Sequence, residues 1–504
     1  MKHGSISTGS KEATFAAKEI LKFGGNAFDA AVGAIFVSMT SEYALTGIFG
    51  GGTLLGFKNN LKPFIYDFFV NCPNCKQNPD AEFRKVIVNF GNARQNFHIG
   101  KGSIAIPGNL LGLIDIQKKY GRLQLQDVLI HAIEIAEFGV TINKHQADIM
   151  KLVEPILTFD NSGKELFTKN KKLISTGDIF KNPAFANFLK LVVNFGSDYF
   201  YRGKGLDYII NHCGENSHIS KEDFNSYNAY SRIPIKIDYN GYQILTNPPP
   251  SFGGSLIIFL LKLLNDSKKS INNLNLIKAM NLTSKVRNEV CKNPNDEYEI
   301  NKIFNKDIYN KYLQLFNHDT LDFAKDTDGF GSTTHISILD KDGNAASVTT
   351  TNGEGCGYIM SEYGIMMNNM LGEQDLNPFG FHIWDNPRRL PTMISPTIIL
   401  KNNKPIYILG SGGSNRIRSA NIQVILNLIH NNMSLEESIN APRIHLEENN
   451  LFCEPGINLN EKHKLNGLLI NLFNEKNVFF GGVNAVSQNE SVGDIRRGGY
   501  GIIY

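Results

Sequence analysis

Gly331-Ser-Thr333-Thr334-His335-Ile-Ser-Ile-Leu-Asp340 runs through Lys341-Asp-Gly343-Asn344 into Ala345-Ala-Ser-Val-Thr349-Thr350-Thr351, and it reads as two strands joined around an Asp-Gly turn. Two registers fit. A two-residue turn at Asp342-Gly343 puts Thr333 opposite Asn352 and sends Thr351 to the other face. A three-residue loop, Lys341-Asp342-Gly343 with Gly343 in the left-handed position of a bulge, sets Thr333 directly opposite Thr351. The sequence leaves both open. Threonine is a good strand former, but one at the first position of a strand can also do chemistry. If the peptide bond before it is cut, its new α-amine, with an unperturbed pKa of roughly 7.7 to 8.0, can accept the hydroxyl proton. No His or Asp partner is then needed. By alternation His335 shares a face with Thr333, and it reads as structural.

The surrounding chain has 504 residues, long enough for two to four domains or one large core, and its 42% hydrophobic content is ample to bury it. Its 51 Lys+Arg and 48 Asp+Glu give a net charge of +3. With no block of five or six basic residues, nothing points to nucleic acid or an anionic membrane. Cys72, Cys75, Cys213, Cys291, Cys356 and Cys453 are scattered and read as reduced thiols. Cys72-Pro-Asn-Cys75 lacks a second pair, so no metal site follows from it. Gly50-Gly51-Gly52 lacks the Lys-Ser/Thr of a phosphate loop and reads as close backbone packing, so no cofactor is expected. No apolar run follows Lys2, and Ala27 to Met39 contains Asp29 and is shorter than the roughly 20 residues that span a bilayer. The expectation is a cytoplasmic protein without membrane segments.

Local patterns place the elements. Ser10 is positioned to cap a helix through Phe23, and Asn26 a more apolar one to about Ser38. Thr53 to Phe57 reads as a buried strand, and Leu110 to about Lys190 as mainly helical. Ile235 to Leu245 reads as a hairpin around Asn240-Gly241, followed by a helix from Ser255 to Leu264. The polar stretch from Lys268 to about Asp328 reads as a helical, partly mobile connector. No internal repeat or long linker divides the chain, so it reads as one intertwined unit.

The Thr333 to Ala345 segment resembles the mature amino terminus of the small chain in the γ-glutamyltranspeptidase (glutathione hydrolase) family of N-terminal nucleophile hydrolases. Further blocks resemble family blocks in the family's order. They include Gly24-Gly-Asn-Ala-Phe-Asp29, Gly47-Ile-Phe-Gly-Gly-Gly52, Pro248-Pro-Pro-Ser-Phe-Gly-Gly254, Gly364-Ile-Met-Met-Asn-Asn369, Gly410-Ser-Gly-Gly-Ser-Asn-Arg416 and Gly493-Asp-Ile-Arg-Arg-Gly-Gly499.

The resemblance implies an α+β protein with a four-layer αββα sandwich. It also implies self-cleavage between Ser332 and Thr333, giving a large subunit, 1–332, and a small one, 333–504, that stay together. Thr333 would attack a γ-glutamyl amide, as in glutathione or a similar small peptide, and pass the acyl group to water or an amino acid. Thr351 matches the threonine that supports the nucleophile. Gly413 and Ser414 match the oxyanion donors, with Gly412 beside them. Glu373 matches the family Asp that holds the substrate's α-amino group, with Glu354 as an alternative anchor, and Thr392-Met393 replaces a serine pair.

One departure stands out: Asp67-Phe68-Phe69 carries Phe69 where the family has an Arg for the α-carboxylate. A phenyl ring cannot replace a bidentate guanidinium. Either Arg389 or Arg416 takes over, or the substrate is a different amide. A non-catalytic, uncut homologue is the third alternative.

Overall fold

The three-residue register is the one adopted: Thr333 pairs with Thr351 and Leu339 with Ala345, and Gly343 has a φ of 83°. Asp340 selects it. One carboxylate oxygen accepts the Asp342 and Asn344 N–H groups, each at 2.9 Å, and the other accepts the Ala27 N–H at 3.0 Å from a neighbouring helix start. The computed structural model describes residues 4–74, 78–89, 94–267, 269–293, 296–318, 332–384, 387–459 and 467–504. Cys75, Gly331 and the end of the expected connector lie outside the described residues.

The protein is α+β, built on two antiparallel sheets. The first runs Tyr230–Arg232, Phe64–Phe68, Gly51–Phe57, Ala345–Thr351, Thr333–Leu339, Ser5–Thr8, Tyr500–Ile503, so the hairpin lies at its centre. The second runs Ile235–Tyr239, Tyr242–Thr246, Thr397–Lys401, Lys404–Gly412, Gly482–Ser487, Ser491–Val492. Leu55, Ile65, Leu339 and Ala345 from the first form one apolar cluster with Leu245, Ile398, Ile408 and Val486 from the second. Along the hairpin, the odd positions therefore face the second sheet. Ser347 Oγ donates to the Leu409 carbonyl and Ser337 Oγ to the Asn484 carbonyl, each at 3.0 Å. The even positions, Ile336, Ile338, Ala346 and Val348, join the core that contains the helix Ala27–Ser41. That helix is apolar all round and buried along its whole length, as its composition requires.

Both amino-terminal helices begin at the expected caps. Ser10 accepts the Ala13 N–H at 3.3 Å, and Asn26 with Asp29 forms a reciprocal capping box. The Asn240-Gly241 hairpin forms with left-handed φ at both residues, 48° and 79°. The Gly51–Phe57 strand begins two residues before its first branched side chain, because Gly50 to Gly52 lie flush against Thr349 to Thr351. A Cβ at Gly50 would sit 2.0 Å from the Thr351 carbonyl.

The described part of the expected connector is helical, as read, but it belongs to the core rather than linking one part to another. Asn273–Val290 is a helix whose Leu276, Met280 and Val286 belong to the core shared with the helices Phe252–Ser267 and Arg416–Ile429. Asn and Lys interleave with that apolar face and hide its helical spacing. The described cysteines are free, and among the described residues no helix is long and apolar enough to cross a membrane.

Candidate active site

Thr333 is 4% exposed and opens its strand on the face toward the second sheet. The peptide bond before it is held from two sides. The Thr351 hydroxyl donates to the Ser332 carbonyl oxygen and itself accepts the Gly353 N–H at 2.9 Å. The Ser332 N–H donates to Glu354 Oε1 at 2.9 Å. A hydroxyl donated to a carbonyl draws charge onto its oxygen, which readies its carbon for attack.

The next carbonyl, of Thr333 itself, faces Arg497, whose Nη1 donates at 3.4 Å. Gly412 packs beneath it: a Cβ there would lie 2.1 Å from the Thr333 oxygen. Gly412→Ala must displace Thr333 or the strand beside it. Since a misplacement of 1 Å can cost about 10²-fold in rate, chain cleavage followed by gel should slow by that order. Cleavage at the wild-type rate would show that this contact does not fix Thr333.

Gly413 and Ser414 link the strand Lys404–Gly412 to the helix Arg416–Ile429, with φ of 118° and 49°. Their carbonyls accept the Arg416 and Ile417 N–H groups at 2.9 and 3.0 Å, which turns the chain into the helix. Their own N–H groups donate to no acceptor among the described residues. Two adjacent unspent donors at a helix amino terminus favour a negatively charged guest. The Ser414 hydroxyl is tied to Asp375 Oδ2.

Glu354, Glu373 and Asp375 are all buried, and each has one carboxylate oxygen without a partner among the described residues. Burial lifts all three carboxyls above their usual range, Glu354 to about 8. Asp375 adds to the rise at Glu354, and both neighbours add to it at Glu373. A cation brought among them would favour their ionised forms, so the cluster is suited to an ammonium group.

The other sequence candidates fall elsewhere. The Arg389 guanidinium is committed inside the protein: to the Phe69 carbonyl, to the Tyr227 hydroxyl and the Asn228 carbonyl at 2.9 Å each, and to Asp67 at 3.4 Å. Arg416 pairs with Glu447 at 3.1 Å and lies over the Phe479 ring. Thr392 Oγ1 accepts the Ile394 N–H at 3.1 Å, and its carbonyl accepts the Phe252 N–H at 2.9 Å. Phe69 is buried in an apolar cluster with Val70, Met370, Leu371 and Trp384. His335 is bonded at 2.7 Å to Thr349 Oγ1 and at 2.9 Å to Ser337 Oγ, and burial pushes it down to about 3, so it is neutral. Sequence reading did not single out Arg497 or Asp375. Arg497 lies in the quoted Gly493–Gly499 block and Asp375 two residues past Glu373, but a lone charge in a loop carries no pattern.

A strand-opening threonine at the centre of a sheet, faced by a second sheet whose Lys404–Gly412 strand ends in an unspent pair of N–H groups, matches an N-terminal nucleophile hydrolase architecture. The cephalosporin acylase from Bacillus halodurans shares the fold with a TM-score of 0.81 at 21% identity, over 99% of this chain and 96% of that one. The chain belongs to the Gamma-glutamyltranspeptidase family, whose model matches residues 13–503. It is similar to the glutathione hydrolase proenzyme of Bacillus subtilis subsp. natto, at 28% identity over 98% of this chain and 89% of that protein. It is also similar to the capsule biosynthesis protein CapD proenzyme of Bacillus anthracis, at 28% identity over 95% and 87%.

Proposed function

We propose that this protein is a self-processing γ-glutamyl hydrolase or transferase acting on small glutathione-like peptides, in a four-layer αββα sandwich made of subunits 1–332 and 333–504. The observation that carries the reading is the hydroxyl of Thr351 donating to the carbonyl of the Ser332–Thr333 bond. In the precursor, Thr333 Oγ attacks that carbonyl carbon, the C–N bond breaks, and the resulting ester is hydrolysed. This frees the Ser332 carboxylate and the Thr333 α-amine. In the mature protein the amine takes the Thr333 hydroxyl proton as Oγ attacks the substrate amide. The N–H groups of Gly413 and Ser414 receive the oxyanion, and the proton passes to the departing amine. Water or an amino acid then takes the acyl group from Thr333.

In this reading Glu373 and Glu354, with Asp375, receive the substrate's α-ammonium group. Its carboxylate falls to Arg497, the guanidinium beside Thr333, rather than to Arg389 or Arg416. A second reading, an acylase for a different amide, is favoured by the apolar setting of Phe69, which removes the guanidinium expected from that strand.

Mass spectrometry of the purified protein tests the core of both readings, with a fragment beginning at Thr333 expected. A chain that stays whole and hydrolyses no amide would refute both. Rates on γ-glutamyl anilide and on its analogue lacking the α-carboxylate separate the two. The first reading expects at least a tenfold preference for the carboxylate, the usual scale for one charge-assisted contact worth about 1.5 kcal/mol or more. Equal rates favour the acylase.

A further inference from the structure

The face of the hairpin opposite the nucleophile holds a charged group that the mechanism above leaves unused. Thr334 points away from the second sheet, and its hydroxyl donates to Glu42 Oε2 at 2.6 Å. Glu42 stands at the carboxyl end of the helix Ala27–Ser41, and its other oxygen accepts the Ser38 hydroxyl at 2.8 Å. Gly9 closes over this pair: a Cβ there would lie 2.1 Å from Glu42 Oε2 and 2.7 Å from Thr334 Oγ1. Burial lifts the Glu42 carboxyl above its usual range, while the hydroxyls of Thr334, Ser38 and Ser10 favour its ionised form; the group is fixed in one place, one residue from the reacting threonine.

It also shares a space with the cation on the other side of Thr333. A cavity of about 20 Å³ is bordered by Gly9, Thr40, Glu42, Gln146 and Arg497. That is room for one water molecule. The Thr40 hydroxyl has no partner among the described residues and gives such a water a third contact. Burial pushes the Arg497 guanidinium down to about 10, while Asp494, Glu354 and Glu42 support its charge.

We infer that Glu42 is a positioning residue for the nucleophile: it grips Thr334 directly and, through the cavity, steadies Arg497 on the Thr333 carbonyl. The inference rests on the reading of Thr333 as nucleophile. It predicts an electrostatic effect as well as a geometric one. The freed α-amine of Thr333 will be faced by Arg497 from the 493–499 turn, by Glu354, Glu373 and Asp375 from the loops after the hairpin, and by Glu42 from the helix end. Glu12 of the helix Lys11–Lys22 acts on Glu42 in turn. Removing the Glu42 charge leaves Arg497 less opposed, which disfavours the protonated amine and lowers its pKa.

The test uses the full chain. Glu42→Gln should cleave itself on the order of tenfold more slowly than wild type, by analogy with other small misplacements of a reacting group. The acid limb of kcat/KM on γ-glutamyl anilide should move to lower pH by about half a unit, the scale of one partly screened charge. On the anilide analogue that lacks the α-carboxylate, and so does not use Arg497 for binding, KM should hold while kcat falls. Glu42→Asp should recover part of the cleavage rate, and Thr334→Val, which removes only the donor, should slow it in the same direction. Wild-type cleavage with Glu42→Gln and Thr334→Val both cutting at its rate overturns the inference and leaves the nucleophile reading standing. A wild-type chain that never cuts overturns the reading beneath it.

Discussion

Thr333→Ala should yield a single chain of 504 residues with no amide-cleaving activity, where wild type is expected to yield two fragments and turnover. Both losses come from one atom. In the proposed mechanism Oγ is the nucleophile in the cut that frees the α-amine and again in the attack on substrate, so no neighbouring group is expected to substitute for it. Loss of a hydrolase nucleophile costs on the order of 10⁴-fold or more. The fold should survive: Thr333 is at a strand start, its backbone pairing with Thr351 does not involve the side chain, and alanine leaves only a small gap. Denaturing gels and anilide hydrolysis read the two losses, and circular dichroism reads the fold. If the alanine variant still cut itself at Thr333, the nucleophile would have to be sought elsewhere. Thr333→Ser keeps the oxygen and should keep both activities, reduced by the lost methyl packing that orients the hydroxyl.

How far the sequence could be read divides along the range of the interactions. The hairpin, the caps at Ser10 and Asn26, and the Asn240-Gly241 turn rest on residues within four positions of each other, and all were legible. The hairpin's register was not, because Asp-Gly suits both loops. Asp340 holds the observed loop through Asp342 and Asn344 together with the Ala27 N–H, more than 300 positions away in the chain, which no local pattern reveals. The stretch Asn273–Val290 reads as helical, which it is, but its burial is hidden for a different reason. Its buried face carries Lys278, Asn281 and Arg287 among the apolar residues, and polar side chains enclosed by tertiary packing look like solvated ones in a linear string. At the site, the family resemblance pointed to Thr333, Thr351 and Gly413, which the fold brings to the facing edges of the two sheets. It could not tell that Arg389 is spent on Asp67 and the Phe69 carbonyl, nor that Asp375 reaches Ser414 and Arg497 reaches Gly413, where no motif spacing brings them.

Asp494→Ala should be the most destabilising single change near the site. Asp494 is fully buried and accepts the Arg443 guanidinium at 2.6 Å, the Val483 N–H at 2.9 Å, and both the backbone N–H and Nη1 of Arg496, at 3.0 and 3.2 Å. Glu454 closes the cluster with paired bonds to Arg496 at 2.7 and 2.5 Å. Two guanidiniums are thus balanced by two carboxylates. Deleting one carboxylate leaves a buried positive charge uncompensated, which costs about 3 to 5 kcal/mol. Asp494→Asn keeps the volume and part of the bonding, so it should lose less.

The same cluster predicts a pH dependence. Burial alone would raise the Asp494 carboxyl, yet Arg443 and Arg496 hold it below the usual carboxylate range. A carboxyl depressed in the folded state stabilises the protein above its unfolded pKa of about 3.9. That stability is lost as pH falls through the lower folded value. Urea unfolding should therefore show the wild-type advantage over Asp494→Asn intact at pH 7 and shrinking below about pH 4. An advantage unchanged down to pH 2, or an Asp494→Ala midpoint equal to wild type, would show that the cluster is not held together by that charge. Because Arg497 follows Arg496 directly and meets the Thr333 carbonyl, loosening this anchor should also slow self-cleavage in the molecules that remain folded. The charge cluster that secures the 493–499 turn should thereby also set how firmly Thr333 is held.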